Sequence, residues 1–157
     1  EEQIQMLENV QTTEVFKELS LLFKHGIDNV DPSTIAGSFK GRENIYDHIN
    51  NLINNAEKEV LIVTTTEGIA RKAEHLIPVL KKIKNKIKIR IAAPIKTEKA
   101  KEAAEELKQY AEIKDVNINA RFVLVDNKDL IFMVNHDKVQ EDTDVGIWYQ
   151  HHFLQEH

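Results

Sequence analysis

Glu57-Lys58-Glu59-Val60-Leu61-Ile62-Val63-Thr64-Thr65-Thr66-Glu67-Gly68 is where the architecture first becomes readable. Val60 to Val63 is an unbroken apolar run rich in β-branched residues, which suits a strand covered on both faces. The threonines and Glu67-Gly68 close the run as a polar loop. Ile69, Ala73, Leu76, Ile77, Leu80 and Ile83 then return at helical spacing. A buried strand passing straight into an amphipathic helix is the unit from which layered α/β sheets are built. Pro78 falls inside the helical pattern. Lacking an N–H, it is expected to break or restart that helix.

Downstream, Ile87, Ile89 and Ile91 alternate with Lys88 and Arg90 as a strand that ends at Ala92-Ala93-Pro94. Thr97 can cap a helix running to about Tyr110, with Ala100, Ala103, Ala104 and Leu107 inward. Val116 and Ile118 begin a third β region, which Phe122 to Val125 continues. Asp126 to Asp129 reads as a turn and Leu130 to Val134 as the returning strand of a hairpin. An acidic loop leads to Val145-Gly146-Ile147-Trp148. Upstream, Ile35 to Phe39 is strand-like, Gly41 punctuates it, and Ile45, Ile49, Leu52, Ile53 and Ala56 mark one face of a helix. The expected fold is a mixed α/β sheet flanked by helices.

Residues 1 to 24 contain neither Gly nor Pro, and their apolar positions Ile4, Leu7, Val10, Phe16, Leu19, Leu22 and Phe23 recur every three or four residues. Gln11, Glu14 and Glu18 interrupt the heptad row that Ile4 and Leu7 begin. Two readings stay open: a helix packed on its own domain, or a long linker helix pairing with its mate in a homodimer through Ile4, Leu7, Val10, Phe16, Leu19 and Leu22. The organisation expected is a linker helix over 1–25 and a regulatory domain over 26–157. The chain starts at Glu1, already inside a helical pattern, and reads as a piece of a longer protein.

Composition narrows the function. With 157 residues the chain fits one domain plus an appended helix. It has no cysteine, which excludes disulfides, thiolate metal sites and a cysteine nucleophile, and fits a reducing, cytoplasmic setting. No apolar run approaches the ~20 residues that cross a bilayer, so no membrane association is expected. A net charge of -5 argues against coating nucleic acid non-specifically. Glycine-rich dinucleotide and phosphate loops are missing, as are the serine-hydrolase elbow and the zinc-protease helix motif. The seven histidines are scattered, so neither a metal nor a cofactor is expected. Arg71, Lys72, Lys81, Lys82, Lys84, Lys86, Lys88 and Arg90 form a basic stripe without interleaved aromatics, read as a solvated face.

The polar strand exits are the candidate ligand site. Open α/β sheets bind ligands beyond the carboxyl ends of their strands. Here those ends present Thr64, Thr65, Thr66 and Glu67, then Lys96 and Thr97. Hydroxyls that donate and accept suit a neutral polyol or an anion. One threonine, Thr66 by position, is expected to cap the following helix.

Phe39-Lys40-Gly41-Arg42-Glu43-Asn44-Ile45, the helix to Ala56 and the Glu57 to Val63 entry resemble the effector domain of TrmB-like archaeal transcriptional regulators. Asn119-Ala120-Arg121-Phe122-Val123-Leu124-Val125-Asp126-Asn127-Lys128 looks like that family's later strand and hairpin, and Gly146-Ile147-Trp148 like its Gly-apolar-Trp. The resemblance spans roughly residues 35 to 150. It implies a phospholipase D-like fold, whose enzymes carry His-x-Lys and, four residues on, Asp. Aligned on Asp126, Arg121 stands at the Lys position and Asn119 at the His position. An amide neither attacks phosphorus nor shuttles protons at neutral pH, so the resemblance implies a domain without phosphodiesterase activity. Asn119, Arg121 and Asp126 remain as ligand contacts or structural groups. The implied role is sensing a small-molecule effector and dimerising, with DNA bound through a winged helix-turn-helix outside this chain. A phospholipase D-type phosphodiesterase and a purely structural interaction module are the alternatives.

Overall fold

The computed structural model describes residues 35–118, 120–134 and 144–150. The helix expected over residues 1 to 24, the proposed pairing positions Ile4, Leu7, Val10, Phe16, Leu19 and Leu22, and Asn119 lie outside the described residues.

The described elements run β1 (Ile35–Lys40), α1 (Arg42–Asn54), β2 (Glu59–Val63), α2 (Thr66–Ile83), β3 (Lys88–Ala93), α3 (Glu98–Leu107), β4 (Glu112–Asp115), β5 (Phe122–Val125), β6 (Asp129–Met133) and β7 (Val145–Gln150). They form a seven-stranded sheet in the order β1-β7-β6-β5-β2-β3-β4. Strands β2, β3 and β4 pair in parallel, joined by crossover helices, and the other pairings are antiparallel. The result is the mixed α/β sheet expected from the sequence.

Strand β2 sits inside the sheet, which explains its unbroken apolar run. Val60 and Ile62 face the cluster that also holds Ile45, Ile49, Ile53, Ile69, Leu76, Leu80 and Leu107 of the helices. Leu61 and Val63 face a second cluster with Phe122, Leu124, Leu130, Phe132 and Tyr149. Helix α1 rides close over β7: a Cβ at Gly146 would stand 3.1 Å from Ile45 Cγ1. Gly41 turns the chain from β1 into α1 at φ 93°, a left-handed conformation that side chains resist. The β5–β6 hairpin turns through Asp126 and Asn127, both at positive φ, with the Lys128 N–H donating to the Val125 carbonyl. Two left-handed central residues make a type I′ turn, whose twist matches that of the strands.

Two expectations need correction. Pro78 neither breaks nor restarts its helix, since α2 runs continuously from Thr66 to Ile83. Pro78 and Glu74, whose carbonyl loses its helical donor, both face solvent, where water can serve that carbonyl. The buried row Ala73, Leu76, Leu80, Ile83 holds the helix across the defect. Val116 and Ile118 do not begin a strand. The strand before β5 is instead Glu112–Asp115, an edge strand paired only with β3, while Val116, Ile118 and Ala120 pack on the second apolar cluster without a ladder.

Candidate ligand site at the strand exits

Register brings several polar residues to one end of the sheet. Val63 is paired with Phe122, Phe122 with Phe132, Met133 with Gly146, and Lys40 with Val145. Thr64, Arg121, Asp144 and Arg42 therefore flank the same end of adjacent strands. Asp144 is fully buried and holds two guanidinium groups. Arg121 Nη2 donates to its Oδ2 at 2.9 Å, and Arg42 Nε to the same oxygen at 3.2 Å. Its backbone carbonyl accepts from the Gly41 N–H at 2.7 Å, tying the β1–α1 turn to β7. Ions this deep persist only when paired and hydrogen-bonded.

Lys72 extends the row from α2. It is buried, and its Nζ donates to Thr64 Oγ1 at 2.8 Å. Gly68 lies so close to Thr64 that a Cβ there would overlap the threonine hydroxyl. The basic stripe read as a solvated face is therefore corrected at Lys72, while Lys81, Lys82, Lys84, Lys86 and Lys88 do face solvent. The signal was present. Lys72 shares the helix face of Ile69, Ala73 and Leu76, as Arg42 shares that of Ile45, Tyr46 and Ile49. A cation on an apolar stripe is buried with it. Asp144 gave no such sign, because it stands in an acidic loop sequence.

The three threonines divide the work. Thr65, not Thr66, caps α2, accepting from the Gly68 N–H at 2.9 Å. Thr66 Oγ1 donates to the Pro94 carbonyl at 2.7 Å, fastening α2 to the exit of β3. Thr97 caps α3 through the Ala100 N–H. Lys96 is exposed beside it.

Thr66, Glu67 and Thr97 line one groove of ≈ 940 Å³ between α2 and α3, together with Arg71, Glu74 and Glu102. That volume lies within the range of small-molecule sites. Arg71 also donates from Nε to the Tyr46 hydroxyl at 2.9 Å. The register thus brings together Thr64 and Arg121, and the groove brings together Thr66, Glu67 and Thr97.

Asp126 stands apart. Five residues of β5 separate it from Arg121, roughly 16 Å at strand rise. Its carboxylate accepts from the backbone N–H groups of Glu57, Lys58 and Glu59 at 2.7–3.0 Å, pinning the hairpin to the entry of β2. Near this end His48 stacks on Phe39 at 4.2 Å and meets the edge of Trp148 at 4.5 Å. Burial lowers the His48 pKa from 6.5, opposed by the nearby Asp129 carboxylate. Asp129 accepts from Trp148 Nε1 at 3.0 Å. His75 lies against Tyr46. Neither described histidine bonds to Arg121. Among the described residues no group of His, Cys, Asp or Glu is placed to hold a metal ion, and no helix is long and apolar enough to cross a membrane.

The model of the family described as "Transcriptional regulator TrmB, EBD N-terminal subdomain" matches residues 38–152, well over half of the chain. The chain belongs to the TrmB family of transcriptional regulators. No curated protein matches this TrmB domain by sequence. Among solved structures it is similar to TrmBL2, an archaeal chromatin protein described with a novel mode of DNA binding, at 13% identity and a TM-score of 0.53. That match covers 96% of the TrmB domain and 58% of TrmBL2, so the chain spans little more than half of its relative's length. It is also similar to the phospholipase D family member Nuc from Salmonella typhimurium, at 11% identity and a TM-score of 0.54, covering 73% of this chain and 82% of Nuc. A third match is phosphatidylserine synthase from Haemophilus influenzae Rd KW20, at 10% identity and a TM-score of 0.56, covering 88% of this chain and 38% of that one. At these identities the likeness is one of fold: the TrmB domain is phospholipase D-like.

Proposed function

We propose that this TrmB domain senses a small-molecule effector for a DNA-binding regulator, dimerises, and catalyses no reaction. The family match over residues 38–152 carries the reading. The groove between α2 and α3 gives it a place to act, with Thr66, Glu67 and Thr97 on its wall and the buried row of Thr64, Lys72, Arg121 and Asp144 near its floor. Lys96 stands at the mouth, and Asn119 belongs to the same strand exit by sequence position. Asp126 is a structural tie in this reading, since its oxygens are occupied by three backbone donors.

Binding in the groove would favour one spacing of α2 and α3, and the ligand moves the equilibrium only by its differential affinity for the two arrangements. Transmitted to a dimer, that shift changes the separation of attached DNA readers, which must match half-site spacing. DNA contact, the homodimer and the cytoplasmic setting belong to the full-length regulator. Arg121 supports the absence of catalysis: its guanidinium is locked to buried Asp144, and neither described histidine is bonded to it. Incubating the full chain with a chromogenic phosphodiester tests this. No turnover above buffer is expected. Turnover that falls with Asn119→Ala would contradict it and favour the phosphodiesterase reading.

A further inference from the structure

The two faces of the sheet are built differently. The buried apolar residues of α1, α2 and α3 belong to the cluster on one face. The other face carries Leu61, Val63, Phe122, Leu124, Leu130, Phe132, Ile147 and Tyr149, and no described helix contributes to it. Yet these side chains are 0–9% exposed within a single chain. An open sheet face would leave such residues in water, so another part of the chain covers them. Val116, Ile118 and Ala120 pack there but form only a short crossing segment.

From β7 to β3 the face is five strands wide, about 19 Å at normal strand spacing. A helix crossing it needs about 13 residues. Residues 135–143 and 151–157 are too short for this. Residues 1–34 are long enough, and they end at β1, next to β7 on the edge of the same sheet.

The sequence of that segment carries two apolar stripes. At 3.6 residues per turn, Ile4, Leu7 and Val10 centre on one side, whereas Val15, Phe16, Leu19, Leu22 and Phe23 centre roughly 120° around the helix. Gln11 and Glu14 mark the change of phase. We propose that the second stripe, Val15 to Phe23, docks on the exposed side of the sheet of its own chain, over Leu61, Leu124 and Phe132. The first stripe, Ile4 to Val10, is left to pair with a partner copy. The assignment stands whether or not the domain binds a ligand.

Lysine cross-linking of the unsubstituted full chain, mixed from light and heavy isotope preparations, tests it without perturbing the fold. Links from Lys17 or Lys24 to Lys114 or Lys128 within chains of one isotope are expected. Links only between isotopes, or none to Lys114 or Lys128, would overturn the proposal. The cysteine-free background allows a second reading with Leu124→Cys, whose thiol should be protected in the full chain. Adding Phe16→Asp and Leu19→Asp should speed its labelling by about tenfold or more, as local covering is lost. A thiol as reactive as in urea, or one unaffected by the added aspartates, would also overturn it.

Discussion

The two ends of β5 use the same kinds of residue for opposite purposes. At its start, Arg121 is sunk in an ionic knot with Asp144 and Arg42, beside Thr64 and Lys72. At its finish, Asp126 faces outward and spends its carboxylate on three backbone N–H groups. Linear spacing alone would make Arg121 and Asp126 partners, but a strand keeps residues five apart at opposite ends of the sheet. A motif read along the chain is therefore not a site until the ladder places it.

The largest effect should come from breaking the Arg121 end. Asp144→Ala removes the shared anion of two buried guanidinium groups and should cost about 3–5 kcal/mol of unfolding free energy by denaturant titration. A loss below that of Asp126→Ala would mean that the knot is less decisive than its burial suggests. Asp126→Ala should cost about 1.5–3 kcal/mol, the value of hydrogen bonds to a charged acceptor. Asp126→Asn should recover part of this, because asparagine tolerates the left-handed turn and keeps one acceptor.

A smaller effect belongs to His48, near the Asp126 end. Burial lowers its folded pKa below the unfolded value of 6.5, so the fold favours the neutral ring. The stability this represents is complete above pH 6.5 and is lost as pH falls from there to the lowered folded value. Denaturant midpoints should drop across that window, and His48→Phe should flatten the drop. Trp148, the one tryptophan of the chain, touches the ring and reports the change by fluorescence. The smallest effect is expected at the groove wall: Glu67→Gln should alter stability by no more than about 0.5 kcal/mol.

Most of the fold was legible because burial on both faces leaves a continuous apolar run, as in β2, and alternation marks β3. Strand β4 was hidden because Glu112–Asp115 is an edge with a single apolar residue. Val116 and Ile118 alternate like a strand, yet they only pack. At the candidate site the strand-exit threonines were legible, but their division of labour was not. Which of Thr65 and Thr66 caps α2 depends on a one-residue choice that both side chains satisfy equally well in sequence. Lys72 was misread because its neighbours Arg71 and Lys81 look like a solvated face. Only the helical phase of Ile69, Ala73 and Leu76 turns it inward.

Thermal unfolding of the full chain against sugars, nucleotides and phosphorylated metabolites tests the sensing role most directly. One class should stabilise the domain, by about 2.7 kcal/mol at 100 times its dissociation constant. That gain should vanish in the Glu67→Ala, Thr97→Ala double variant. Stabilisation by none of them, or stabilisation that survives the double variant, would contradict a sensor built on the α2–α3 groove.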